Sequence, residues 1–412
     1  MPTKVVQPTL AEFELAHENV LKVAIQTPIL KSNYLSQLTG TEVYLKCENL
    51  QRTGAYKLRG AYNRMSKLTP AERKKGVVAA SAGNHAQGVA LAAKRLGIKA
   101  TIFMPIGASL PKLQATENYG AEVVLTGAVF AETLKAAQEH SAKKGAIFIP
   151  PFDHLDVITG QGTVGLEILE ELEGVDNILV AIGGGGLAAG VATAAKLKAA
   201  AQGRKIKIIG VQAKNASPYV QSLKVGKPVE QHITRTIADG IAVSKPGAIP
   251  FELIKKNIDK VVTVSDDEIA KAIVVMLERS KMVVEPAGAV GVAAIMSGAV
   301  KLKGRTVVIL SGGNIDPLLM QKVIGHGLAA AERYTSISVM LPDRPGMLVK
   351  TAEAIASAHG NVVEVLHTRH GKDLDISEVE LKMSVETTGH EHRLRVLQAL
   401  KEAGIKARFD EE

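Results

Sequence analysis

Short apolar runs alternate with longer segments of helical periodicity along the first three quarters of the chain. Eight of these runs are expected to form strands: 77–80, 100–104, 123–126, 147–149, 178–182, 206–211, 261–264 and 306–310. Strands that alternate with helices form parallel sheets whose faces the helices cover. The sequence therefore predicts a mainly parallel α/β fold. Gly97, Gly120 and Gly145 stand where glycines commonly end helices.

A glycine run lies between one of these strands and an alanine-rich helix. It consists of Gly183, Gly184, Gly185, Gly186 and Leu187. Glycines adopt positive φ readily and can point several N–H groups at one place, where the helix N-terminus adds positive partial charge. This pattern predicts a phosphate site, although a tight turn without a ligand is the alternative. The run also satisfies G-x-G-x-x-A, but the next strand ends in Gln212 rather than the acidic residue that a dinucleotide site requires.

Three further segments carry polar groups into glycine-containing turns. Lys57 follows an aromatic residue and a small-residue turn, a setting in which a lysine can lose solvent and act as a nucleophile. Ser81, Gly83, Asn84 and His85 follow a strand and open a helix, an arrangement that suits a carboxylate. Ser311 begins another turn after a strand. An exposed lysine and ordinary strand-to-helix turns are the alternatives, but ligands gather at the carboxyl ends of parallel strands.

These four segments, in this order, resemble the pyridoxal-phosphate enzymes of fold type II. The whole chain is similar to the threonine dehydratases that carry one C-terminal ACT domain. The resemblance implies open, mainly parallel sheets in two lobes, with a catalytic domain at 1–332 and a smaller lobe at about 54–151. It also implies that pyridoxal 5'-phosphate is the cofactor and that a free amino acid is the substrate.

The resemblance assigns roles residue by residue. Lys57 would hold the cofactor aldehyde and act as the catalytic base, and Asn84 would bind the ring hydroxyl. The glycine run, with Leu187, would bind the phosphate, and Ser311 would face the pyridine nitrogen. Ser81, Gly83, Asn84 and His85 would surround the substrate carboxylate.

The expected reaction is β-elimination of L-threonine to 2-oxobutanoate and ammonia, with weaker activity on L-serine. The alternatives are a serine-preferring dehydratase, a threonine synthase or, in a different class, an inactive amino-acid-sensing protein. Serine racemases have a serine where this chain has Ala82, so racemisation is disfavoured. Retention of Lys57, Asn84 and Ser311 argues against an inactive protein.

The pattern changes after about residue 332. Segments 336–341, 361–369, 376–386 and 405–409 read as strands, and 346–359 and 390–403 read as helices. This order, βαββαβ, is the ferredoxin-like arrangement. The tail 333–412 resembles an ACT regulatory domain, which implies an amino-acid effector near Gly346, Met347, Leu348, Asn361 and Val362. A dimerisation module without a ligand is the alternative.

Composition limits the other partners. The formal net charge is +9, but the basic residues are scattered, aromatic residues make up 3% of the chain and tryptophan is absent, so nucleic-acid binding is not expected. The single cysteine, Cys47, excludes an intramolecular disulfide and a cysteine-rich zinc site. No metal site is expected, because the 11 histidines do not form H-E-x-x-H or Cys/His clusters.

The chain shows no apolar run that approaches a membrane span, and residues 1–12 lack the pattern of a secretory leader. We therefore expect a cytoplasmic enzyme without a membrane partner. A homo-oligomer, either dimer or tetramer, is also expected.

Overall fold

Three sheets organise residues 5–369 and 375–410, which the computed structural model describes. The strands are β1 (Ile29–Lys31), β2 (Val43–Lys46), β3 (Val77–Ala80), β4 (Ala100–Met104), β5 (Glu122–Leu125), β6 (Ile147–Phe148), β7 (Val175–Ala181), β8 (Lys207–Ala213), β9 (Lys260–Val264), β10 (Arg305–Ile309), β11 (Tyr334–Pro342), β12 (Asn361–Thr368), β13 (Glu378–Glu386) and β14 (Lys406–Phe409). The eight predicted strands and the four of the tail are all present, with ends that differ by three residues at most.

Sixteen α-helices connect these strands in the described residues. They are α1 (Leu10–Val20), α2 (Asn33–Thr39), α3 (Lys57–Ser66), α4 (Pro70–Lys75), α5 (Asn84–Leu96), α6 (Leu110–Asn118), α7 (Phe130–Lys144), α8 (Leu155–Glu171), α9 (Gly186–Ala201), α10 (Pro218–Val225), α11 (Ala248–Asn257), α12 (Asp266–Val275), α13 (Pro286–Met296), α14 (Pro317–Ala330), α15 (Met347–Ser357) and α16 (His390–Glu402). Gly97 and Gly145 end α5 and α7 in the left-handed conformation, as predicted.

The chain forms two compact units, Met1–Leu319 and Met320–Glu412, and each is described by itself. The division falls inside α14, whereas the sequence analysis places the domain boundary after residue 332. That boundary stays a prediction.

The larger sheet of the first unit has six strands in the order β1-β2-β10-β7-β8-β9. All neighbouring strands are parallel except β1 and β2, which form an antiparallel edge pair. The sequence analysis missed these two strands, which lie before the first glycine-rich turn. The last strand of the unit, β10, lies between β2 and β7, so the carboxyl end of the unit is placed beside its amino-terminal part.

The smaller sheet has four parallel strands in the order β5-β4-β3-β6, and it lies within the predicted smaller lobe. Its strands are built from apolar residues, and all residues of β3 and β4 are buried. Helices pack on both faces, since one buried cluster joins β3 and β4 to α5 and another joins them to α7. This accounts for the continuous apolar character of β3 and β4, whereas the edge strand β5 has two exposed residues, Glu122 and Leu125.

The second unit contains an antiparallel sheet in the order β12-β13-β11-β14. Together with α15 and α16 it follows the predicted order βαββαβ. Alternate residues of β11 and β13, such as Ile337, Val339, Leu381 and Met383, form its core. Period-two alternation is expected of a sheet with one face covered by helices.

A buried ion cluster anchors the helix that begins with Lys57. Arg59 donates through Nε to Glu48 Oε2 at 2.8 Å and through Nη2 to Glu167 Oε2 at 2.9 Å. Lys46 Nζ lies 2.8 Å from the same Glu167 oxygen, and all four side chains are fully buried. Burial lowers the pKa of Arg59, but Glu48 and Glu167 more than offset this and raise it. The cluster therefore ties α3 to β2 and α8 through charges that stay paired.

Candidate active site

Lys57 is the first residue of α3, and its side chain is half-buried. Its Nζ donates to the backbone oxygen of Pro151 at 2.9 Å and lies 5.3 Å from the centre of the Tyr56 ring. Burial lowers the pKa of Lys57 from 10.5 to about 8, against the opposing effect of the Glu285 carboxylate. A substantial fraction of the amine is therefore neutral in mildly alkaline solution, as a nucleophile or a base requires.

The glycine run forms a turn with unpaired backbone donors at the start of α9. Gly185 adopts φ +101°, and residues 184–188 are buried. Within the described residues, the six consecutive N–H groups of 183–188 have no hydrogen-bond acceptor in the protein. Buried N–H groups without acceptors are rare and costly, and they match a bound anion at a helix N-terminus. The turn therefore fits the phosphate of pyridoxal phosphate.

Lys57 is linked to this turn by the segment that contains its acceptor. Pro151 is followed by Phe152, and a Cβ added at Gly184 or Gly186 would overlap Phe152 atoms. The backbone oxygen of Gly184 accepts hydrogen bonds from Tyr219 Oη at 3.0 Å and from Gly247 N at 3.1 Å. The glycines thus allow close packing as well as free N–H groups, and they place the anion site near the lysine.

Ser311 lies beside the segment that leads to Lys57. Its backbone oxygen accepts from Tyr56 N at 3.2 Å, and its side chain is buried. Two residues on, Gly313 N donates to Gly54 O at 2.8 Å. These bonds place the turn after β10 against the start of α3. The role of Ser311 toward the cofactor stays a prediction.

Asn84 begins α5 and is held at both ends of its amide. Its Nδ2 donates to Glu285 Oε1 at 2.7 Å, and its Oδ1 accepts from Asn314 Nδ2 at 2.8 Å. The side chain therefore lies between the start of α13 and the turn that contains Ser311. The structure brings these predicted cofactor residues together.

The ring of His85 is bound elsewhere in the protein, and its predicted place at the substrate carboxylate stays a prediction. Its ring is buried, and Nε2 lies 2.9 Å from the backbone oxygen of Ile149. Burial, with the nearby Lys57 charge, lowers the pKa of His85 to about 3, so the ring is neutral. A neutral ring that donates to a carbonyl does not supply positive charge to a carboxylate. At this position only the backbone N–H at the start of α5 remains for that role.

The other residues of this loop present backbone and hydroxyl groups. Ser81 Oγ accepts from Gly83 N at 3.1 Å, which closes the turn. Within the described residues, the N–H groups of 84–86 have no acceptor in the protein. A carboxylate at this helix N-terminus would meet several donors.

Sequence reasoning missed three charged residues of the site. Glu285 is buried, and burial raises its pKa to about 7, with Asp239 adding to the rise. Lys112 Nζ pairs with Asp239 Oδ2 at 3.2 Å, and the lysine side chain also lies next to Gly83. One signal was available in the sequence, because Glu285 is a lone acidic residue between an apolar run and a helix that starts with proline.

The predicted effector residues lie in the second unit. Gly346, Met347 and Leu348 line a cavity of about 280 Å³, together with Asp343 and Arg369, whose charged groups are 3.4 Å apart.

Asn361 and Val362 do not line this cavity, and their role in effector binding stays a prediction. They pair with Glu386 and Val385, whereas the cavity lies where Leu341 pairs with Val379. The strand register places these two residues at the other end of the sheet.

A metal site and a membrane span each place requirements on the described residues of the folded chain. No group of three or more His, Cys, Asp and Glu side chains is placed to hold a metal ion. No helix among those residues has both the length and the apolar character needed to cross a bilayer.

Comparison with known proteins identifies the family. Residues 20–312 match the family described as pyridoxal-phosphate dependent enzymes, and residues 335–404 match the ACT domain. The chain belongs to the pyridoxal-phosphate dependent enzymes. Pyridoxal phosphate is thus the cofactor of this enzyme, and the predicted fold, type II followed by an ACT domain, is confirmed.

Relatives of this pyridoxal-phosphate enzyme cover nearly its whole length. It is 44% identical to the L-threonine ammonia-lyase of Thermotoga maritima over 97% of this chain and 99% of that protein. It is 47% identical to the L-threonine ammonia-lyase of Geobacter sulfurreducens over 94% and 96%. The structure of the processed form of threonine deaminase isoform 2 from Solanum lycopersicum has 39% identity and a TM-score of 0.73, covering 79% of this chain and 98% of that one.

Proposed function

We propose that this enzyme is an L-threonine ammonia-lyase, a carbon–nitrogen lyase that converts L-threonine to 2-oxobutanoate and ammonia. The observation that carries the proposal is the position of Lys57, a lysine with a lowered pKa linked through Pro151 and Phe152 to six unpaired N–H groups. Proteins named for this reaction are 44% and 47% identical to the chain over nearly all of its length.

Different residues of the site would bind different parts of the cofactor. The N–H groups of 183–188 would bind the phosphate, Lys57 the aldehyde, Asn84 the ring oxygen and Ser311 the pyridine nitrogen. When bound, the cofactor supplies an electron sink for the bond that breaks at the substrate Cα. A hydroxyl at the pyridine nitrogen, in place of a carboxylate, leaves that nitrogen unprotonated, which favours elimination over transamination.

The remaining roles concern the substrate. The N–H groups of 84–86 would bind its carboxylate, and Ser81 and Gly83 shape that turn. Lys57 Nζ would remove the Cα proton, which requires the neutral amine that burial favours. With Ala82 after Ser81, the chain lacks a hydroxyl at the position where racemases have one, so proton return to the other face is not supported.

The first experiment tests the cofactor and the reaction together. We expect purified protein to show the visible absorbance of bound pyridoxal phosphate and to form 2-oxobutanoate from L-threonine. It should form pyruvate from L-serine at a lower rate. Lys57→Ala should abolish both the absorbance band and turnover.

The control is Lys99→Ala, which removes a lysine whose side chain is 78% exposed and should leave both readouts unchanged. Absorbance without keto acid from threonine would contradict the proposed substrate. Turnover that survives Lys57→Ala would remove this lysine from the mechanism.

Finer features belong to the same proposal. We infer that the ACT domain binds an amino-acid effector at the cavity lined by Gly346, Met347 and Leu348. Assembly into a homo-oligomer and a cytoplasmic location remain predictions of the sequence analysis.

A further inference from the structure

The amide of Asn314 connects three parts of the site that are distant in sequence. Its Nδ2 donates to the backbone oxygen of Thr53 at 2.7 Å and to Asn84 Oδ1 at 2.8 Å. Its Oδ1 fills the space where a Cβ of Gly54 would lie, and Gly54 adopts φ +68°. Asn314 therefore contacts both the loop that leads to Lys57 and the residue assigned to the cofactor ring.

The backbone oxygen of Thr53 fixes the orientation of the Asn314 amide, because this oxygen cannot donate a hydrogen bond. A backbone oxygen such as Thr53 O only accepts, so the Asn314 atom that faces it is Nδ2. This nitrogen carries a second proton, which points at Asn84. The Asn84 atom that receives it must be an acceptor, Oδ1, and the other end of the Asn84 amide must be Nδ2.

The two protons on Asn84 Nδ2 can be assigned in the same way. Its Nδ2 has two protons, and one is donated to Glu285 Oε1 at 2.7 Å. One donor is left for the ring oxygen of the cofactor. If the amide were turned over, Asn84 would present Oδ1, an acceptor, to that electron-rich oxygen, and two oxygens would face each other without a proton.

We propose that Asn314 is a positioning residue that fixes Asn84 in the orientation that donates to the cofactor ring oxygen. The inference rests on the proposed placement of pyridoxal phosphate, and it assigns a new role to Asn314 alone. The residue acts through Asn84 and does not itself need to contact the cofactor.

The experiment is a double-mutant cycle on cofactor affinity, measured by titrating cofactor-free protein with pyridoxal phosphate. Asn314→Leu keeps the branched shape of the side chain but removes both donors. We expect it to raise the dissociation constant about 10- to 150-fold, the scale of one hydrogen bond to a charged group. In the Asn84→Ala background the same change should alter the constant by less than about twofold, because the residue through which Asn314 acts is gone.

The absorption maximum of the bound cofactor gives a second readout. Asn314→Leu and Asn84→Ala should shift it in the same direction, which a merely structural role would not do. Asn19→Leu is the matched control. Asn19 lies in α1 and, like Asn314, donates to another asparagine, since its Nδ2 is 3.3 Å from Asn63 Oδ1. It should change neither the affinity nor the maximum.

Additive effects in the cycle, or an unshifted maximum in Asn314→Leu, would overturn the inference. If Asn314→Leu fails to fold by circular dichroism, Asn314→Ser is measured in the same cycle and decides by the same criterion. Failure of the wild-type chain to bind pyridoxal phosphate would instead contradict the proposed function, so the two failures are distinguishable.

Discussion

Lys57 and Glu285 are ionisable groups whose pKa values burial moves in opposite directions. Burial lowers the pKa of Lys57 to about 8 and raises that of Glu285 to about 7. Each favours its neutral form because the charged form loses its solvent, and each also opposes the shift of the other through its charge. The site therefore keeps an amine and a carboxyl close to their points of titration near neutral pH.

Glu285 should make the stability of the cofactor-free protein depend on pH. Its pKa in the folded chain lies above its ordinary value of 4.5, so the folded state holds the proton more tightly. The stabilisation is full below pH 4.5 and is lost as pH rises through about 7. We expect the free energy of unfolding of Glu285→Gln, relative to wild type, to increase between pH 5 and pH 8 by at most about 3 kcal/mol. The melting temperatures of both proteins at each pH give the measurement.

The control for this measurement is Glu122→Gln, which changes a carboxylate whose side chain is 54% exposed. It should show no comparable trend with pH. An equal trend in both variants, or a Glu285→Gln difference that falls with pH, would contradict the assignment of a raised pKa to Glu285.

At the scale of residues, sequence reasoning found groups marked by local pattern and missed those that depend on long-range contacts. Lys57 and Ser311 stand in recognisable turns. Glu285 and Asp239 become part of the site only because α13 and the segment before α11 fold back onto α5 and α6. The neutral state of His85 is likewise set by burial in the folded chain and by the nearby Lys57 charge, which no local pattern reveals.

At the scale of elements, the glycine run combines a rare backbone conformation with tight packing. A Cβ at Gly185 would overlap the Tyr219 hydroxyl, and φ of +101° strains any other residue. Both effects act at the N-terminus of α9, where the unpaired N–H groups lie. The conformation of this turn and its capacity for an anion are therefore inseparable.

Gly185→Ala should weaken cofactor binding by at least about tenfold, since the turn must shift and fewer N–H groups converge. The dissociation constant for pyridoxal phosphate is the measurement. The matched control is Gly203→Ala at the other end of the same helix, where φ is +69° and nothing lies within 4 Å of the added Cβ. It should cost about 1 kcal/mol of stability and leave cofactor affinity unchanged. Equal loss of affinity in both would mean that strain alone is responsible.

Most elements could be predicted from the periodicity of apolar residues and from the glycines between them, because buried parallel strands are largely apolar and glycines end many of the helices. The strands β1 and β2 were missed for a physical reason. The edge strand β1 has two exposed residues and so lacks the apolar run of a central strand. The strand β2 ends in Lys46, a charged residue that is buried only because it pairs with Glu167, far away in the sequence. The order of strands was beyond reach as well, since no local signal places β10 between β2 and β7.

At the scale of the whole molecule, the residues of the proposed site all lie before residue 320. The first unit also has its own buried clusters, which do not draw on the tail. The tail has a separate core. Catalysis and effector binding are therefore assigned to different units of the chain.

Removal of residues 333–412 should leave threonine turnover largely intact and abolish any response to an amino-acid effector, for which isoleucine is the probe. Steady-state rates for both chains over an isoleucine titration give the measurement. A truncated chain that still responds would place the effector site in the first unit. Loss of turnover together with loss of the melting transition would show that the first unit needs the tail to fold.

The central position of β10 has a consequence for the order of events during synthesis. The bond from Asn314 to Thr53 joins residues 261 positions apart, and β2 and β7 have no strand between them until residue 309 is made. At roughly 5 to 20 residues per second, the ribosome needs on the order of 10 to 50 seconds to cover that distance. For about the second half of this time the nascent chain carries both Lys57 and the glycine run but cannot assemble the pocket, so cofactor capture is a late event that follows release of β10 from the exit tunnel.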